Sequence, residues 1–240
     1  MLTRFKYGHK IIKLIIVFVL CGAACFGEEP SYLSTDLKVR KWEEIRFEGK
    51  TPNIFTSCGD GCVQIVTNMS VSMIARPIDI DLEHAPILSW EWRIEKETTF
   101  SDLSIKGKDD RAVALYVAFP YNPNHSSFAE SLLRPFVELK RGRNAPGRVI
   151  SYVWSGYGNR NQIIQSPYLS PGGAIMILRN QLAKSGKWIR ERVDVASDYQ
   201  RIFGMKPDMA NYILISSDSD DTQTSNQASI RSIEFSRRKN

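Results

Sequence analysis

The 240-residue chain is long enough to bury one large core or two small ones, and all-β sandwiches of this length are commonly single domains. The formal net charge of +6 overstates its basic character: without the four basic residues of the N-terminal leader, the 32 basic side chains fall to 28, against 26 acidic ones. A nearly neutral net charge does not indicate a basic surface that binds the phosphates of a nucleic acid, so nucleic acid is not an expected partner.

Residues 1–27 have the pattern of a secretory signal peptide. Basic residues precede a short apolar run, Leu14–Ala24, that ends in small side chains. This run is well below the roughly 20 residues of a membrane-spanning helix, so we expect no stable membrane span after processing. Residues 28–240 are then a single exported domain, periplasmic or extracellular, and we expect a monomer. The alternative is a lipid anchor on Cys25, although Gly22 stands where such sites usually carry an aliphatic residue.

Cys58 and Cys62 flank the turn sequence Gly59-Asp60-Gly61. Export to an oxidising compartment favours a disulfide across a hairpin tip. Two thiols without a nearby histidine are too few ligands for structural zinc, and a redox pair is the alternative.

The strand pattern before residue 86 is less regular. Val39–Phe47 is predicted as a first strand, and the segment up to Arg40 as a loose lead-in. Cys62–Ala75 contains two apolar alternations that meet near Thr67-Asn68, which is typical of a hairpin with Ser70 and Ser72 facing away from the core.

The segment from Pro86 to Phe119 is the clearest strand signal and organises the prediction. In its first run, Leu88–Ile94, apolar and polar side chains alternate with the period of a strand that has one face on a core. The second run, Ala112–Phe119, places bulky residues on one face and mostly small ones on the other. Small side chains on that face would allow another layer, or a ligand, close to the backbone.

Strand signals return after residue 147. Asn122–Gly147 is the least β-like part, and Ser127 with Glu130 has the spacing of a helix capping box. One helical turn is predicted at Asp198–Phe203, with Asp198 as its N-cap and Gly204 as its stop. The later strands are predicted at Val149–Ser155, Ala174–Leu178, Trp188–Val195, Tyr212–Ile215 and Ile230–Phe235. The chain is therefore expected to be all-β, an antiparallel, jelly-roll-like β-sandwich with one or two short helices.

The order of these motifs resembles a bacterial family catalogued as domain of unknown function 3047. The motifs are Trp42–Phe47, Pro86 with Trp90-Glu91-Trp92-Arg93, Asp109-Asp110, Tyr152-Val153-Trp154, Trp188, Asp198-Tyr199 with Phe203-Gly204, Asp218–Thr222 and Ile233–Phe235. The resemblance covers roughly residues 40 to 236, and the Lys-Gly-Asp-Asp motif of the family is one residue longer here. It implies an exported or envelope β-sandwich and supplies no catalytic residues.

Candidate ligand-binding residues come from two places in the sequence. Asp109, Asp110 and Arg111 precede a predicted strand, whereas Tyr152 and Trp154 end another beside a glycine-containing loop. Amphipathic aromatic residues near strand ends serve either a core or a ligand, and for one of these two we expect a ligand. Trp90 and Trp92 share an apolar face and are predicted to lie in the core.

A candidate metal site lies between the last two predicted strands. Asp218, Asp220 and Asp221, with the Thr222 hydroxyl, could coordinate calcium, which accepts carboxylates, hydroxyls and carbonyls. The EF-hand pattern is not met. The alternative is an acidic loop that is solvated or paired with Arg111 or Arg231. No cofactor is required by the sequence, and calcium is the one it could accommodate.

These residues favour a non-catalytic, exported β-sandwich that binds a polysaccharide or cell-envelope glycan. The alternative is a polysaccharide hydrolase or lyase that uses Asp109, Asp110 or Asp221 as acid or base, and a structural envelope protein is a third hypothesis. If the Asp109-Asp110 segment and the Asp218–Asp221 segment meet at one end of the sandwich, that shared location would support both the metal site and the ligand-binding or catalytic site.

Overall fold

The computed structural model describes residues 32–95, 100–126, 146–154 and 156–239. Residues 31–240 form one compact unit. The predicted signal peptide with Cys25, and most of the predicted helix within 122–147, lie outside the described residues. None of the helices in the described ranges is long and apolar enough to cross a membrane.

Twelve strands and two short α-helices make up the described fold. The strands are β1 (Glu43–Arg46), β2 (Ile54–Ser57), β3 (Val63–Asn68), β4 (Val71–Asp81), β5 (Ile87–Ile94), β6 (Val113–Phe119), β7 (Arg148–Trp154), β8 (Ile163–Gln165), β9 (Gly173–Arg179), β10 (Ile189–Asp194), β11 (Met209–Asp218) and β12 (Ser225–Ser236). The helices are α1 (Thr35–Val39) and α2 (Val195–Phe203), and a 3-10 turn spans Pro123–His125.

The strands form two sheets, which confirms the predicted all-β, antiparallel, jelly-roll-like sandwich. The larger sheet has the order β1-β4-β11-β6-β7-β9-β8, and the smaller one has the order β10-β5-β12-β3-β2. Neighbouring strands are antiparallel except for β7 and β9, which are parallel.

The core between the sheets is rich in aromatic rings. Trp90 and Trp92 on β5 are fully buried, as their alternation predicts, and their rings lie 5.2 Å apart in an edge-on arrangement. Tyr152 and Trp154 on β7 extend this cluster from the other sheet, at ring distances of 5.6 and 5.8 Å. Burial of one such side chain contributes about 4–6 kcal/mol gross.

Both faces of β6 are buried, as its two apolar faces predict. The bulky residues, among them Leu115 and Val117, face the core between the sheets. Ala114 and Tyr116 face outward and belong to a second cluster with Leu103, which lies in the loop before β6. That loop therefore covers part of the outer face of the larger sheet and fixes the residues that follow it.

The structure confirms one predicted hairpin and contradicts the other. β2 and β3 pair as a hairpin, and Cys58 and Cys62 form a disulfide across its tip, as predicted. The hairpin predicted within Cys62–Ala75 is wrong, because β3 and β4 belong to different sheets. Met69, with a positive φ of 48°, stands at the corner where the chain crosses from one sheet to the other. Strand alternation alone does not show whether two successive strands pair or face each other.

Helix α2 begins earlier than the sequence predicts. Its N-cap is Asp194, whose side chain accepts a hydrogen bond from the Ser197 backbone N–H at 3.0 Å. Asp198 lies inside the first turn and accepts a hydrogen bond from the Tyr152 hydroxyl instead. Gly204 ends the helix in the left-handed conformation, as predicted.

Candidate functional site

The loops that precede β6 and follow β11 meet at one end of the sandwich. The Asp218 backbone N–H donates to the Arg111 carbonyl at 2.9 Å, and the Asn226 side chain donates to the Ala112 carbonyl at 2.6 Å. This convergence brings the two predicted acidic segments together. We call the resulting cluster the carboxylate rim; it consists of Asp109, Asp110, Asp218, Asp220 and Asp221 with the cations Arg111 and Lys50.

Arg111 is the buried cation of the carboxylate rim. Its Nη2 donates to Asp109 Oδ2 at 2.7 Å, and its Nη1 donates to Asp218 Oδ2 at 2.5 Å. Burial disfavours the charged guanidinium, but the nearby carboxylates outweigh that penalty and raise the pKa of Arg111. The ion pair that the sequence left open for this acidic loop is therefore formed by Arg111, whereas Arg231 pairs with Glu91.

Asp218 lies on the buried side of the carboxylate rim. Burial raises the pKa of Asp218 to about 6, opposed by the Arg111 charge and by the hydrogen bond from the Ser216 hydroxyl. The Tyr116 ring shares this buried environment, which raises the pKa of Tyr116 to about 12. Because Asp218 is enclosed with Arg111, it is not placed to coordinate a metal with Asp220 and Asp221, which corrects the predicted ligand set.

Asp110 organises the turn that follows β11. Its carboxylate accepts hydrogen bonds from the Thr222 N–H at 2.8 Å, the Thr222 hydroxyl at 2.5 Å and the Asp221 N–H at 3.3 Å. The Thr222 hydroxyl thus supports a rim carboxylate, whereas the sequence predicts it as a direct ligand of the metal. The turn is held by charge-assisted hydrogen bonds to a buried carboxylate.

The exposed side of the carboxylate rim is acidic but partly neutralised. Carboxylate oxygens of Asp110, Asp220 and Asp221 lie within 4.8 Å of one another, a spacing that could hold a metal ion. The Lys50 ammonium pairs with Asp220 at 2.5 Å, and that hydrogen bond raises the pKa of Lys50. The Asp221 carboxylate accepts no hydrogen bond from the described residues, and burial, followed by the charge of Asp220, raises its pKa. A cation would therefore compete with Lys50 for Asp220.

A buried polar network that sequence reasoning missed supports the rim from below. Asn53 is fully buried, and its Nδ2 donates to the carbonyls of Ser72 and Ser217 at 2.9 and 2.7 Å. The Ser70 hydroxyl donates to Asn53 Oδ1 at 2.8 Å, so the prediction that Ser70 and Ser72 face away from the core is wrong. Nothing in the local sequence around Asn53 signals this role, because its partners are distant in the chain.

Tyr152 and Trp154 do not contribute to the surface. Both side chains are fully buried in the core between the sheets, so neither is available to a ligand, which corrects the expectation that one of them faces it. The exposed aromatic residue near this strand end is Tyr157, in the loop that follows. The period-2 pattern of β7 places the aromatic residues of the strand itself inward.

Phe100 and Tyr157 form an exposed ring pair, which we call the aromatic pair. The two side chains are 61% and 68% exposed, and their ring centroids lie 5.9 Å apart. The Tyr157 N–H donates to the Ser101 carbonyl at 3.0 Å, and the Ser101 hydroxyl donates to the Asp110 carbonyl at 2.7 Å. The aromatic pair is therefore tied directly to the backbone of the carboxylate rim.

A third exposed aromatic residue, Tyr168, contacts the rim itself. Its hydroxyl donates to Asp109 Oδ1 at 2.9 Å, while 53% of the residue remains exposed. Burial and the Asp109 carboxylate raise the pKa of Tyr168 to about 12. The Lys106 ammonium stands 5.2 Å from the centre of its ring.

Gly156 allows the two loops of the aromatic pair to approach. Its φ is +89°, and a Cβ at this position would lie 2.7 Å from the Leu103 side chain. A glycine is needed on both counts, since a larger residue would be strained and would push the two loops apart.

Beyond the aromatic pair, the same end of the sandwich carries a buried carboxylate held by two arginines. Glu191 on β10 has no exposed side-chain surface; its Oε2 accepts from Arg160 Nη2 at 2.8 Å and its Oε1 from Arg179 Nε at 2.6 Å. We call Arg160 and Arg179 the arginine pair. No local sequence pattern signals this cluster, because its members lie in three separate segments.

Solved structures that resemble this fold include carbohydrate-active and carbohydrate-binding proteins, each at 10% sequence identity. They include the xyloglucanase domain of the NopAA effector from Sinorhizobium fredii (TM-score 0.43, 82% of this chain, 93% of that chain) and a native family 12 xyloglucanase from Bacillus licheniformis (0.44, 82%, 94%). A family 11 carbohydrate-binding module of a Clostridium thermocellum cellulosomal cellulase also matches (0.38, 82%, 88%).

Comparison of the amino-acid sequence with known proteins and protein families identifies one family. No curated protein matches the chain significantly. The family described as "Protein of unknown function (DUF3047)" matches residues 40–234, which covers most of the chain and confirms the resemblance seen in its motifs. The chain therefore belongs to the DUF3047 family.

Proposed function

We propose that the protein is an exported, non-catalytic β-sandwich that binds a glycan of the bacterial envelope. The observation that carries this proposal is the exposed aromatic pair, Phe100 and Tyr157, on the loops that also hold the carboxylate rim. Exposing two neighbouring aromatic rings costs hydrophobic free energy, so such a pair marks an interaction surface. Flat rings match the apolar faces of sugar rings.

The polar part of the proposed surface is supplied by the carboxylate rim and Tyr168. Asp221 has a carboxylate without a donor among the described residues, and carboxylates are strong acceptors for sugar hydroxyls. The Tyr168 hydroxyl is fixed by Asp109, which orients an exposed ring beside these acceptors. Aromatic stacking with a few fixed polar groups is a suitable combination for a hydroxyl-rich ligand.

Binding fits the geometry better than hydrolysis does. Asp109 and Asp110 are 3% and 6% exposed, and their oxygens already accept hydrogen bonds from Arg111, Tyr168, Thr222 and the Asp221 backbone. Asp220 is paired with Lys50. Of the carboxylates that the hydrolase or lyase alternative would use, only Asp221 is uncommitted within the described part of the chain, whereas such a mechanism needs two.

The proposal is tested by measuring how residues 28–240 bind purified envelope and wall polysaccharides, by affinity electrophoresis and calorimetry. We expect the double variant Phe100→Ala with Tyr157→Ala to weaken binding at least tenfold, about 1.4 kcal/mol, because it removes both stacking surfaces. Val39→Ala, which alters an exposed apolar residue on α1, is the control and should bind normally. Unchanged binding by the double variant, or no binding of any glycan by the wild type, would refute the proposal.

A reducing-end assay on the same polymers separates binding from catalysis. We expect no release of reducing ends, and no unsaturated product, at protein concentrations that saturate the polymer. Release that disappears in Asp221→Asn would establish the hydrolase or lyase alternative instead.

Calcium binding to the rim can be tested on the same protein. Because Lys50 already supplies a positive charge to Asp220, we expect EDTA to leave the thermal midpoint within about 1 °C of its value in calcium. Lys50→Met removes that charge, and the melting temperature of this variant should rise with calcium. A calcium-dependent wild-type midpoint would show instead that the ion displaces Lys50.

A further inference from the structure

The arginine pair extends the proposed binding surface with a net positive charge. Two guanidinium groups share the single Glu191 carboxylate, so the cluster carries one uncompensated positive charge. Glu191 has no exposed side-chain surface, whereas the side chains of Arg160 and Arg179 are 45% and 29% exposed. The buried carboxylate thus fixes both arginines, and their other edges face the solvent.

Several donors of the arginine pair are uncommitted. Arg160 uses Nη2 for Glu191 and Nη1 for the Leu178 carbonyl at 2.8 Å. Arg179 uses only Nε, and its two terminal nitrogens donate to no group in the part of the chain that the structure describes. A guanidinium whose position is fixed by a buried partner loses little conformational entropy when it binds an anion with its free edge.

The arginine pair is continuous with the aromatic pair. Arg160 lies in the same loop as Tyr157, and the Asn180 side chain, next to Arg179, donates to the Gly158 carbonyl at 2.8 Å. The loop from residue 180 to 188 adds the exposed Lys184 and Lys187. Its Gly186 N–H donates to the Ile94 carbonyl at the end of β5, which anchors the loop at this end of the sandwich.

We infer that the arginine pair recognises an anionic substituent, a carboxylate or a phosphate, on the glycan that stacks on the aromatic pair. The inference rests on the proposed function and specifies its ligand as an acidic polysaccharide. Arg binds carboxylate and phosphate oxygens through paired, charge-assisted hydrogen bonds. The acidic carboxylate rim on the other side of the aromatic pair would bind neutral hydroxyl groups and repel anionic ones. The bound glycan would therefore be oriented with its anionic substituent at the arginine pair and its hydroxyl groups at the carboxylate rim.

The experiment compares matched acidic and neutral polymers. Polygalacturonate and alginate are each measured against the same polymer after carboxyl reduction, and poly(glycerol phosphate) tests the phosphate source. We expect the wild type to bind at least one acidic polymer roughly tenfold more tightly than its neutral match, with an affinity that falls as salt increases. Arg160→Gln should abolish most of this preference and most of the salt dependence.

The matched control is Arg238→Gln. The Arg238 side chain is 54% exposed and pairs with Asp194 at the C-terminal end of β10, away from the 180–188 loop, so it resembles Arg160 in exposure and in having a carboxylate partner. Arg238→Gln should keep the wild-type preference. Arg160→Lys, which keeps the charge and loses the planar fork, should retain the salt dependence but bind less tightly. Thermal melts of every variant verify folding. Glu191 keeps Arg179 as a partner in the Arg160→Gln variant, so this substitution does not leave the buried carboxylate unpaired.

Two results would overturn the inference while the proposed function stands. One is equal binding of every acidic polymer and its neutral match, and the other is an acidic preference that both Arg160→Gln and Arg179→Gln retain. Loss of neutral-polymer binding in the variant that lacks the aromatic pair would at the same time support the proposed function. No binding of any polymer by the wild type would overturn both.

Discussion

Arg111 compensates the buried charge of two aspartates, and the stability of the carboxylate rim depends on that compensation. Arg111→Met keeps the aliphatic stem but leaves Asp109 and Asp218 buried without a cation. We expect a loss of about 3–5 kcal/mol in the free energy of unfolding at pH 7, measured by urea denaturation. Arg231→Met, at an exposed ion pair that also contacts the Trp188 ring, should cost on the order of 1 kcal/mol. Equal losses would contradict the assignment of Arg111.

The protonation of Asp218 should make stability depend on pH in a defined direction. Burial raises its pKa from the ordinary 3.8 to about 6, so the folded protein holds a proton that the unfolded chain releases. The stabilisation from that proton is complete below pH 4 and is lost as the pH rises through 6.

Comparison with Asp218→Asn isolates this effect, because the variant cannot titrate at this position. Relative to the variant, the wild type should lose roughly 1 kcal/mol per pH unit between pH 4 and 6 in urea unfolding. A difference that is independent of pH, or that grows in favour of the wild type, would show that Arg111 keeps Asp218 ionised throughout.

At the scale of elements, the β2–β3 hairpin is closed by the disulfide between Cys58 and Cys62. The bridge spans a sequence separation of 4, and in the chain-entropy model such a short loop contributes about 2 kcal/mol. Replacing both cysteines by serine should lower the free energy of unfolding by that amount. A reductant should lower the free energy of unfolding of the wild type by the same amount and leave that of the double variant unchanged. A double variant as stable as the oxidised wild type would contradict a stabilising role of the disulfide.

The cap of helix α2 distinguishes the structure from the sequence-based prediction. Asp194→Ala removes the hydrogen bond to the Ser197 N–H and should cost about 1 kcal/mol in urea unfolding. Asp198→Asn should leave capping intact, since Asp198 bonds to the Tyr152 hydroxyl inside the first turn. If the helix loses circular dichroism in Asp198→Asn and not in Asp194→Ala, the predicted cap was right.

Periodic strands could be predicted from the sequence, but their partners could not. Leu88–Ile94 and Ala112–Phe119 were predicted almost to their bounds, because alternation is a local property of a half-buried strand. β2 and β8 were missed, since strands of four and three residues carry too few alternations. The crossing between β3 and β4 depends on which sheet each strand joins, which the local pattern does not encode.

In the candidate site, too, local motifs could be predicted from the sequence, whereas contacts between distant segments could not. The dense carboxylates of Asp218–Thr222 and the Asp109-Asp110-Arg111 motif are visible in the sequence, but whether they meet depends on the fold. The carboxylate that lies close to Asp220 and Asp221 is that of Asp110 and not that of Asp218. This choice depends on the direction of the side chains at the end of β11. The arginine pair and Glu191 come from segments with no common motif, so only the folded chain brings them together.

Across the whole molecule, one end of the sandwich carries an acidic cluster, exposed aromatic rings and a basic cluster in succession. The carboxylate rim lies at the end of β11 and the start of β6, and the aromatic pair lies in the loops beside it. Of the arginine pair, Arg160 lies in the loop between β7 and β8 and Arg179 ends β9, and both contact Glu191 on β10. Backbone hydrogen bonds tie the loops that carry these clusters to strand ends and to one another, so binding should need little rearrangement of the described residues. The account therefore predicts a single binding surface whose parts act together.

Hydrogen–deuterium exchange with and without a bound polysaccharide tests this claim most directly. We expect the glycan to slow exchange at backbone amides within 100–111, 156–168, 180–188 and 219–224, and to leave α2 and the tip of the β2–β3 hairpin unchanged. Protection confined to the smaller sheet, or spread evenly over the fold, would contradict a glycan-binding surface at this end of the sandwich.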